Sequence, residues 1–440
     1  MVMKIITCEG PWEEVTAITV LMRELRAGGL TASGSAGVDV PETVRGIIAE
    51  VEAGRDQAVA RLTKQIDKID VPPEAVAVPV DQIRAAHAAA DEALLHLVRR
   101  VIANLRAYQE HIKAAAPADL VRDGRRLGVR YTPIDTVGLY VPGGKAVYPS
   151  SFLMTIVPAQ VAGVRRIAIA TPPTAAGVHP MTLTLAHELG IETVYRVGGA
   201  IAMAALALGT EQIAPVEMLA GPGNAFVAEA KKQLFGRVAI DSLAGPSEVL
   251  ILADDTADAA HVASDLLAQA EHNPGSAILV TPSADLAARV AAQVETQLGG
   301  LERAEALRDA LDRYSAIIVV PSLDAACEVA NAFATEHLQI ITADDEAVLA
   351  RIRHAGAIFL GDTTPVPVGD YYAGPSHVLP TGGTARFFSA LSVNSFLKAT
   401  SVLRYDRAAL AADGADIIEF ATREGLTAHA AAVRRRREKG

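Results

Sequence analysis

The sequence predicts an α/β protein with mostly parallel sheets, and three observations support this fold class. From about residue 134 onward, short apolar runs that end in Gly or Pro alternate with helical stretches. Half of the residues are apolar, but only 4% are aromatic. Small aliphatic side chains of this kind suit helices that pack on buried parallel strands. Because 440 residues are too many for one compact core, we expect two large domains and smaller appendages.

The N-terminal region, residues 1–133, is predicted to be mainly helical. Ala, Leu, Glu, Arg and Lys recur at spacings of three and four, as in ADEALLHLVRRVIANLRAYQEHIKAA. The segment AVAVPV at 75–80 interrupts this pattern and has the composition of a short strand.

Two series of βαβ units follow. Residues 134–246 contain the apolar runs TVGLYV, RIAIATPP, ETVYRVGG and PVEMLAGPG, and a helical pattern follows each of them. Residues 247–380 contain a second series, EVLILADD, SAILVTPS, YSAIIVVPS, HLQIITADD and GAIFLGD. Such alternation is typical of parallel sheets with helical crossovers. The two series therefore predict two lobes with a cleft between them.

The last segment, residues 381–440, begins with a Gly- and Thr-rich loop and ends in helical patterns. Its basic tail, VRRRREKG, is interpreted as a solvated helix end whose cations lie at the favourable C-terminal pole.

The charge and the cysteine content narrow the class of partner. The formal net charge of −11 disfavours nucleic acid or an anionic membrane surface, so a small molecule is the expected ligand. Cys8 and Cys327 match no disulfide or metal spacing, which is typical of reduced residues in a cytoplasmic protein. A membrane span needs about 18 consecutive apolar residues, and the sequence has no such run.

Three glycine-rich segments stand between an apolar run and a helical pattern: LYVPGGKAVYPSS (139–151), VGGAIAMAALALG (197–209) and LAGPGNAFVAEAKKQ (219–233). At such positions, bare backbone amides and a helix N-terminus can bind a phosphate or another polar group. None of them spells GxGxxG. Tight strand-to-helix turns would explain each segment equally well.

Several side chains could bind a metal ion. In SDLLAQAEHNPGS, Gln269 and His272 are three residues apart and would share one face of a helix. Asp370 and His377 lie in VGDYYAGPSHVLPT, which is predicted to be irregular, and His429 lies in GLTAHAAAV. Zn²⁺ accepts nitrogen and oxygen ligands of these types. Sequence spacing does not show that they converge.

The adjacent residues Glu336 and His337 precede a β-branched run in TEHLQI. At a strand end that faces the cleft, they would form an acid/base pair, because His titrates near neutrality and Glu can activate a water molecule. The alternative is that His337 caps a helix and Glu336 is solvated.

Seven motifs, taken in order, resemble the histidinol dehydrogenase family over residues 10–435. They are GLYVPGG, GPGNAFVAEAK, AGPSEVLILAD, SDLLAQAEH, TEHLQI, GDYYAGPSHVLPT and GLTAH. The resemblance implies oxidation of L-histidinol through L-histidinal to L-histidine, with NAD as the acceptor in both steps and one Zn²⁺ per site. It also implies a homodimer whose subunits intertwine through their terminal extensions, with two incomplete Rossmann-like lobes in each.

The resemblance also assigns residues to roles in catalysis and metal binding. His337 is expected to be the general base, and Glu336 is expected to activate water. The expected zinc ligands are Gln269, His272, Asp370 and His429, the last one reaching the site from the other subunit.

Further residues are implied to bind the substrate and the cofactor. Those expected to contact L-histidinol are Ser247, Gln269, His272, His337, Asp370, His377, Glu424 and His429. Tyr140 and Asn224 are expected to contact NAD. The implied domains are an N-terminal region (1–133) that packs partly with the second lobe, a first lobe (134–246), a second lobe (247–380) that carries the zinc and acid/base residues, and a C-terminal extension (381–440) that contributes to the partner's site.

Two positions depart from the family pattern. Ile201 stands where the family commonly has a Gln that contacts the dinucleotide, and an aliphatic side chain cannot make that hydrogen bond. Val366 stands where the family usually has a Glu. Three alternatives therefore stay open: a dehydrogenase of the same fold for another polar alcohol such as a hydroxy-sulfonate, a zinc hydrolase, and a zinc-binding protein without catalysis.

Overall fold

The computed structural model describes residues 3–26, 37–143, 148–243, 245–272 and 275–438. It confirms the predicted α/β class with mostly parallel sheets. The strands are β1 (Lys4–Thr7), β2 (Leu120–Arg122), β3 (Arg125–Pro133), β4 (Thr136–Tyr140), β5 (Arg166–Thr171), β6 (Val194–Arg196), β7 (Met218–Ala220), β8 (Ala239–Ile240), β9 (Ser247–Ala253), β10 (Gly275–Thr281), β11 (Ala316–Val319), β12 (His337–Ile341), β13 (Ala357–Leu360) and β14 (Leu397–Tyr405).

The α-helices connect these strands and extend from both ends of the chain. They are α1 (Thr16–Arg26), α2 (Val40–Ile66), α3 (Val80–Ala88), α4 (Glu92–Ile112), α5 (Pro149–Ala162), α6 (Pro180–Glu188), α7 (Gly199–Leu208), α8 (Ala225–Leu234), α9 (Ala259–Ala270), α10 (Ala284–Leu298), α11 (Ala304–Tyr314), α12 (Leu323–Phe333), α13 (Asp345–Leu349), α14 (Val366–Tyr371), α15 (Arg407–Arg423) and α16 (Thr427–Glu438).

Two parallel sheets form the body of the protein. The first sheet has the strand order β6-β5-β4-β7-β8, and the second has the order β1-β11-β10-β9-β12-β13. The first strand of the chain, β1, therefore pairs with β11, far away in sequence. Helices α2, α3 and α4 pack instead against helices that flank the first sheet. Helix α5 is apolar around most of its circumference because α4, α6 and strand β4 surround it.

A third sheet is antiparallel and joins residues 120–133 to the C-terminal extension in the order β14-β3-β2. Strands β2 and β3 form a hairpin at Asp123 and Gly124, whose φ angles are 44° and 74°. A turn with two positive φ angles fits the twist of a hairpin, and the dipeptide Asp-Gly is its usual signal. The N-terminal region is thus mainly helical, as predicted, but it also contains this hairpin, which the helical spacing did not indicate.

The predicted strand AVAVPV at 75–80 does not form. Its residues follow a short 3₁₀ helix and lead into α3, and Ala77 makes only an isolated antiparallel bridge to Tyr195. Two backbone hydrogen bonds, from Val78 N–H to Val194 O and from Arg196 N–H to Val76 O, hold it beside β6. Pro79 directly before α3 supplies no N–H for a longer ladder.

The connection between the two parallel sheets determines which ends of their strands face each other. Strand β8 ends at Ile240 and β9 begins at Ser247, so the short segment 241–246 runs from the carboxyl end of β8 in the first sheet to the amino end of β9 in the second. The carboxyl ends of β4 and β7 therefore face the amino ends of β9 and β12 across a cleft. Among the described residues, no helix has the length and apolar character that a membrane crossing requires.

Core packing on α4 can be tested with a matched pair of substitutions. Leu105 is 0% exposed and Leu97 is 44% exposed on the same helix. We expect Leu105→Ala to lower the free energy of unfolding by about 2–5 kcal/mol, because it removes buried methyl groups and leaves a cavity. Leu97→Ala should change it by less than about 0.5 kcal/mol. Urea denaturation of both variants measures the difference, and equal midpoints would contradict the burial of Leu105.

Candidate active site

A cleft of about 700 Å³ lies between the first and second sheets. Residues from both sheets line it, together with the loop that follows β7 and the segment that follows α14. The predicted site residues along its wall are Tyr140, Asn224, Ser247, His272, Glu336, His337, Asp370 and His377. The structure thus brings together side chains that are separated by more than two hundred residues of sequence.

The buried imidazole of His337, the first residue of β12, lies at the centre of the site. Its Nδ1 is 3.1 Å from the backbone oxygen of Glu248, and its Nε2 is 3.3 Å from a carboxylate oxygen of Asp370. A carbonyl oxygen can only accept, so Nδ1 carries a proton and Nε2 is the nitrogen that can exchange one.

Charges around His337 favour its protonated form. Burial by itself lowers the pKa of His337, but the carboxylates of Glu336 and Asp370 outweigh burial and raise the pKa to about 9. A cation bound at Asp370 would compete for that carboxylate and would lower the pKa of His337 again. The basicity of Nε2 therefore depends on what Asp370 binds.

Glu336 lies next to His337 with a carboxylate that is held on one side. Its Oε2 accepts hydrogen bonds from Ser247 Oγ at 2.6 Å and from the backbone N–H of Glu248 at 2.9 Å. Burial, the largest effect, raises the pKa of Glu336, while the charge of His337 and the two hydrogen bonds lower it. The carboxylate is thus both oriented and more basic than usual, which suits proton transfer with a water molecule.

The sequence analysis missed Glu248, a second buried carboxyl group at this point. It is 1% exposed, and its side chain accepts hydrogen bonds from the backbone N–H of Gly382, at 3.0 Å, and from the backbone of Glu336. Burial and the charge of Glu336 raise the pKa of Glu248 to about 8. An acidic residue at the start of the apolar run SEVLILA was the available signal, because a carboxylate in a buried strand needs partners.

The expected metal ligands Gln269 and His272 lie at the end of α9. Gln269 is in the last turn, and His272 lies just beyond the helix, with its N–H bonded to the carbonyl of Gln269. They are therefore neighbours through a turn and not, as predicted, two residues of one helix face. Gln269 is 3% exposed, and its amide nitrogen has no hydrogen-bond partner among the described residues. An unpaired buried amide is costly unless a bound group compensates for it.

Asp370 is the third expected ligand of this chain. It lies in the short helix α14, so the prediction of an irregular stretch was wrong at this point. Pro367 in the first turn of α14 favours a helix start, because its fixed φ is already helical. Burial, the largest effect, raises the pKa of Asp370, but the hydrogen bond to His337 and the charge of His337 outweigh burial and lower it.

Gln269, His272 and Asp370 offer an amide oxygen, an imidazole nitrogen and a carboxylate, a donor set that fits Zn²⁺. Within the described parts of the chain, no group of three or more His, Cys, Asp and Glu side chains could hold a metal ion. His272 and Asp370 are only two such ligands, so a zinc site of ordinary coordination needs Gln269 and a further donor.

His377 is fixed as a neutral donor and acceptor. Its Nδ1 is 3.1 Å from the backbone oxygen of Asp370, and its Nε2 is 2.9 Å from Ser151 Oγ. Burial, the largest effect, lowers the pKa of His377. Nδ1–H therefore donates to the carbonyl, and Nε2 accepts from Ser151, a residue that the sequence analysis did not single out.

The two expected cofactor contacts lie across the cleft from Glu336 and His337. Tyr140 ends β4, and its hydroxyl accepts a hydrogen bond of 3.2 Å from Gly199 N–H at the start of α7. Asn224 caps α8 with its side-chain oxygen, which accepts from the N–H groups of Phe226 and Val227. The amide N–H groups of Asn224 are thus its remaining donors.

The two departures from the family pattern are buried in apolar cores. Ile201 lies in α7, is 2% exposed and packs with Tyr140 and the small residues of that helix, so it does not line the cleft. Val366 packs in the core of the second sheet with Phe359.

The remaining expected residues are elsewhere. Glu424 follows the end of α15, and His429 lies on α16; both are exposed, and neither lines the cleft of the described chain. The structure therefore does not bring them to the other site residues within one subunit.

Comparisons with known proteins show which proteins the chain is similar to. The family model for histidinol dehydrogenase matches residues 31–437. The chain is 49% identical to histidinol dehydrogenase of Rhodopirellula baltica, covering 90% of this chain and 86% of that protein. It is 50% identical to histidinol dehydrogenase of Geobacillus kaustophilus, covering 90% of this chain and 93% of that protein. The crystal structure of histidinol dehydrogenase from Elizabethkingia anophelis superposes with a TM-score of 0.92 at 32% identity, covering 100% of this chain and 98% of that one.

The close packing at the end of α9 leads to a prediction for Gly275. A Cβ atom at this position would lie 2.3 Å from the backbone oxygen of Gln269 and 3.4 Å from His272 Cβ. Backbone cannot rotate away as a side chain can, so Gly275→Ala should displace both expected ligands. We expect the variant to release Zn²⁺ at a chelator concentration at least about tenfold lower, as for other changes that misplace metal ligands.

Gly299→Ala is the control, since the nearest atom to its Cβ would be 3.6 Å away. A colorimetric chelator titration measures the release. Wild-type zinc retention in a folded Gly275→Ala variant would contradict the ligand assignment.

Proposed function

Because the chain belongs to the histidinol dehydrogenase family, and is thus an NAD-dependent oxidoreductase, we propose that it oxidises L-histidinol through L-histidinal to L-histidine. Two NAD molecules accept the electrons, and one Zn²⁺ is bound per site. The observation that carries this proposal is the placement of Glu336 and His337 opposite Tyr140 and Asn224 across one cleft. An acid/base pair and a dinucleotide site on facing walls are what a hydride transfer needs.

The metal site is proposed to consist of Gln269, His272 and Asp370, with His429 from a second subunit. Bound Zn²⁺ would supply a positive centre for the amine and imidazole nitrogens of the substrate, both of which are good zinc ligands. The burial of Gln269 directly beside His272 at the end of α9 supports this assignment. Substrate would then be oriented by its distinguishing groups rather than by its hydroxyl.

In the first oxidation, His337 Nε2 removes the proton of the substrate hydroxyl while hydride passes from the adjacent carbon to NAD. The products are L-histidinal and NADH. The hydrogen bond between Nδ1–H and the Glu248 carbonyl keeps Nε2 directed into the cleft during this transfer. Ser151 and the backbone of Asp370 hold His377 beside it.

In the second oxidation, Glu336 accepts a proton from water as the water oxygen adds to the aldehyde carbon. The aldehyde oxygen takes the proton that His337 removed in the first step, which gives the hydrate. His337 then removes a hydroxyl proton of the hydrate as hydride passes to a second NAD, and L-histidine leaves. Ser247 and the backbone of Glu248 keep the carboxylate of Glu336 in place. A cleft between two sheets retains the reactive aldehyde between the two steps.

We further propose that the protein is a homodimer in which Glu424 and His429 enter the partner's cleft. The third sheet and helix α15 expose apolar side chains that a second copy would cover. They include Leu120, Val121, Leu403 and Phe420, whose exposed fractions are 63%, 71%, 68% and 71%. An exposed antiparallel strand pair and helix of this kind are typical of subunit interfaces.

Stoichiometry tests the reaction. The zinc-loaded protein with L-histidinol and excess NAD should form two NADH for each histidinol consumed. His337→Asn should reduce the rate by about 10²- to 10⁴-fold, because a general base is lost. The control His261→Asn, an exposed histidine paired with Asp362 on the surface, should leave the rate unchanged.

Absorbance at the NADH band, with chromatography of the products, gives both values. One NADH per histidinol would limit the activity to the alcohol step. No NADH from L-histidinol, but NADH from a hydroxy-sulfonate, would favour the alternative dehydrogenase.

A mixing experiment tests the shared site. His337→Asn and His429→Asn subunits should each be inactive alone, and random reassembly should restore about a quarter of wild-type activity. Half of the dimers are then mixed, and in each of these one of the two sites has both native histidines. Native mass spectrometry confirms the mixed dimers. If they form without activity, His429 acts within its own subunit.

A further inference from the structure

A buried ion pair lies beneath the glycine-rich loop that follows β7. Lys231 of α8 pairs with Asp241, which comes directly after β8, and the side chains are 2% and 3% exposed. Neither residue lines the cleft. Charges this deep are rare unless their hydrogen bonds are satisfied by a specific partner.

The partner is the backbone of Gly221. The Lys231 ammonium donates to the Gly221 carbonyl oxygen at 3.1 Å, and the Gly221 N–H donates to an Asp241 carboxylate oxygen at 2.8 Å. The second Asp241 oxygen accepts from Ser242 N–H at 2.7 Å. The ion pair thus holds both polar groups of one residue and the first peptide of the segment that connects the two sheets.

The position of Gly221 explains why its hydrogen bonds to Lys231 and Asp241 affect the cleft. Its φ angle is +110°, and a Cβ atom there would lie 2.2 Å from the backbone oxygen of Tyr140. The loop therefore crosses directly over the end of β4, and no other residue type fits. Immediately after it, residues 222–226 form part of the cleft wall, with Asn224 among them. The two expected dinucleotide contacts, Tyr140 and Asn224, both lie close to Gly221.

Stability alone does not account for this pair. Replacing a buried ion pair by apolar residues of similar volume is often neutral or stabilising, because desolvation offsets the attraction between the charges. What apolar residues cannot do is bond the carbonyl and the N–H of Gly221 at once. The distinctive effect of the pair is therefore on loop geometry.

We propose that Lys231 and Asp241 are positioning residues that fix the loop from Gly221 to Asn224 for dinucleotide binding. They act through the backbone and do not touch the cofactor. The proposal rests on the proposed function only in taking NAD as the ligand of this wall.

The test is the double variant Lys231→Met/Asp241→Leu, which removes both charges and leaves no single buried charge unpaired. We expect its KM and Kd for NAD to rise about ten- to a hundredfold, the range that misplacement of a binding group produces. The KM for L-histidinol and the bound zinc should change less than about twofold, since those groups lie on the other wall. Lys232→Met is the control, because the neighbouring Lys232 is exposed and pairs with Glu229 at the surface.

Equilibrium titration with NAD alone separates this proposal from the proposed reaction. If wild-type protein binds NAD but does not oxidise L-histidinol, the proposed reaction is wrong. The NAD affinities of the variants would still test whether Lys231 and Asp241 position the loop. An unchanged Kd for NAD in the folded double variant would overturn the proposal, as would equal rises in KM for both substrates.

If the double variant fails to fold, Lys231→Gln/Asp241→Asn takes its place. It keeps a donor and an acceptor of similar shape but removes both charges, so the hydrogen bonds to Gly221 are weaker. Hydrogen exchange at residues 221–226 should then quicken, and NAD should bind more weakly. Wild-type exchange and affinity in that variant would equally overturn the proposal.

Discussion

The short connection of residues 241–246 is the constraint on which the site depends. It runs from the carboxyl end of β8 to the amino end of β9, so carboxyl ends of strands in the first sheet face amino ends of strands in the second. In open α/β sheets, ligands usually bind at the carboxyl ends of strands. Here only the first sheet follows that rule, while Ser247 and His337 project from amino ends of the second. The wall with Tyr140 and Asn224 is therefore formed at carboxyl ends of strands, and the wall with Ser247 and His337 is formed at amino ends.

A second consequence of bringing the two sheets together at the cleft is electrostatic. Glu248, Glu336, Asp370, His337 and His377 are crowded into one buried region, where an unpaired charge would cost several kcal/mol. Glu248, Glu336, His337 and His377 have backbone or hydroxyl partners, and the carboxylate of Asp370 is paired with His337. Such a network holds its members in one arrangement, and it couples their proton affinities. The pKa of His337 thus depends on whether Asp370 faces an imidazole or a cation.

The departures at Ile201 and Val366 have a simple physical reading. Both side chains belong to apolar cores, one within α7 and the other against Phe359. An amide or carboxylate in either core would need a polar partner, whereas an aliphatic side chain needs none. Neither substitution changes a side chain that lines the cleft.

The sequence by itself determined the fold class, the family and the types of side chain at the site, because periodicity and local motifs record short-range requirements. It predicted the strands before Tyr140 and after Glu336, since these are continuous apolar runs. The tertiary structure decided what depends on distant partners: the pairing of β1 with β11, the hairpin partner of β14, and the ends of α9 and α14. Glu248 and Ser151 gained their roles through contacts with residues far away in sequence, and the Lys231–Asp241 pair through its contacts with the backbone of Gly221. Spacing cannot reveal such contacts, because they depend on how the folded chain places the groups.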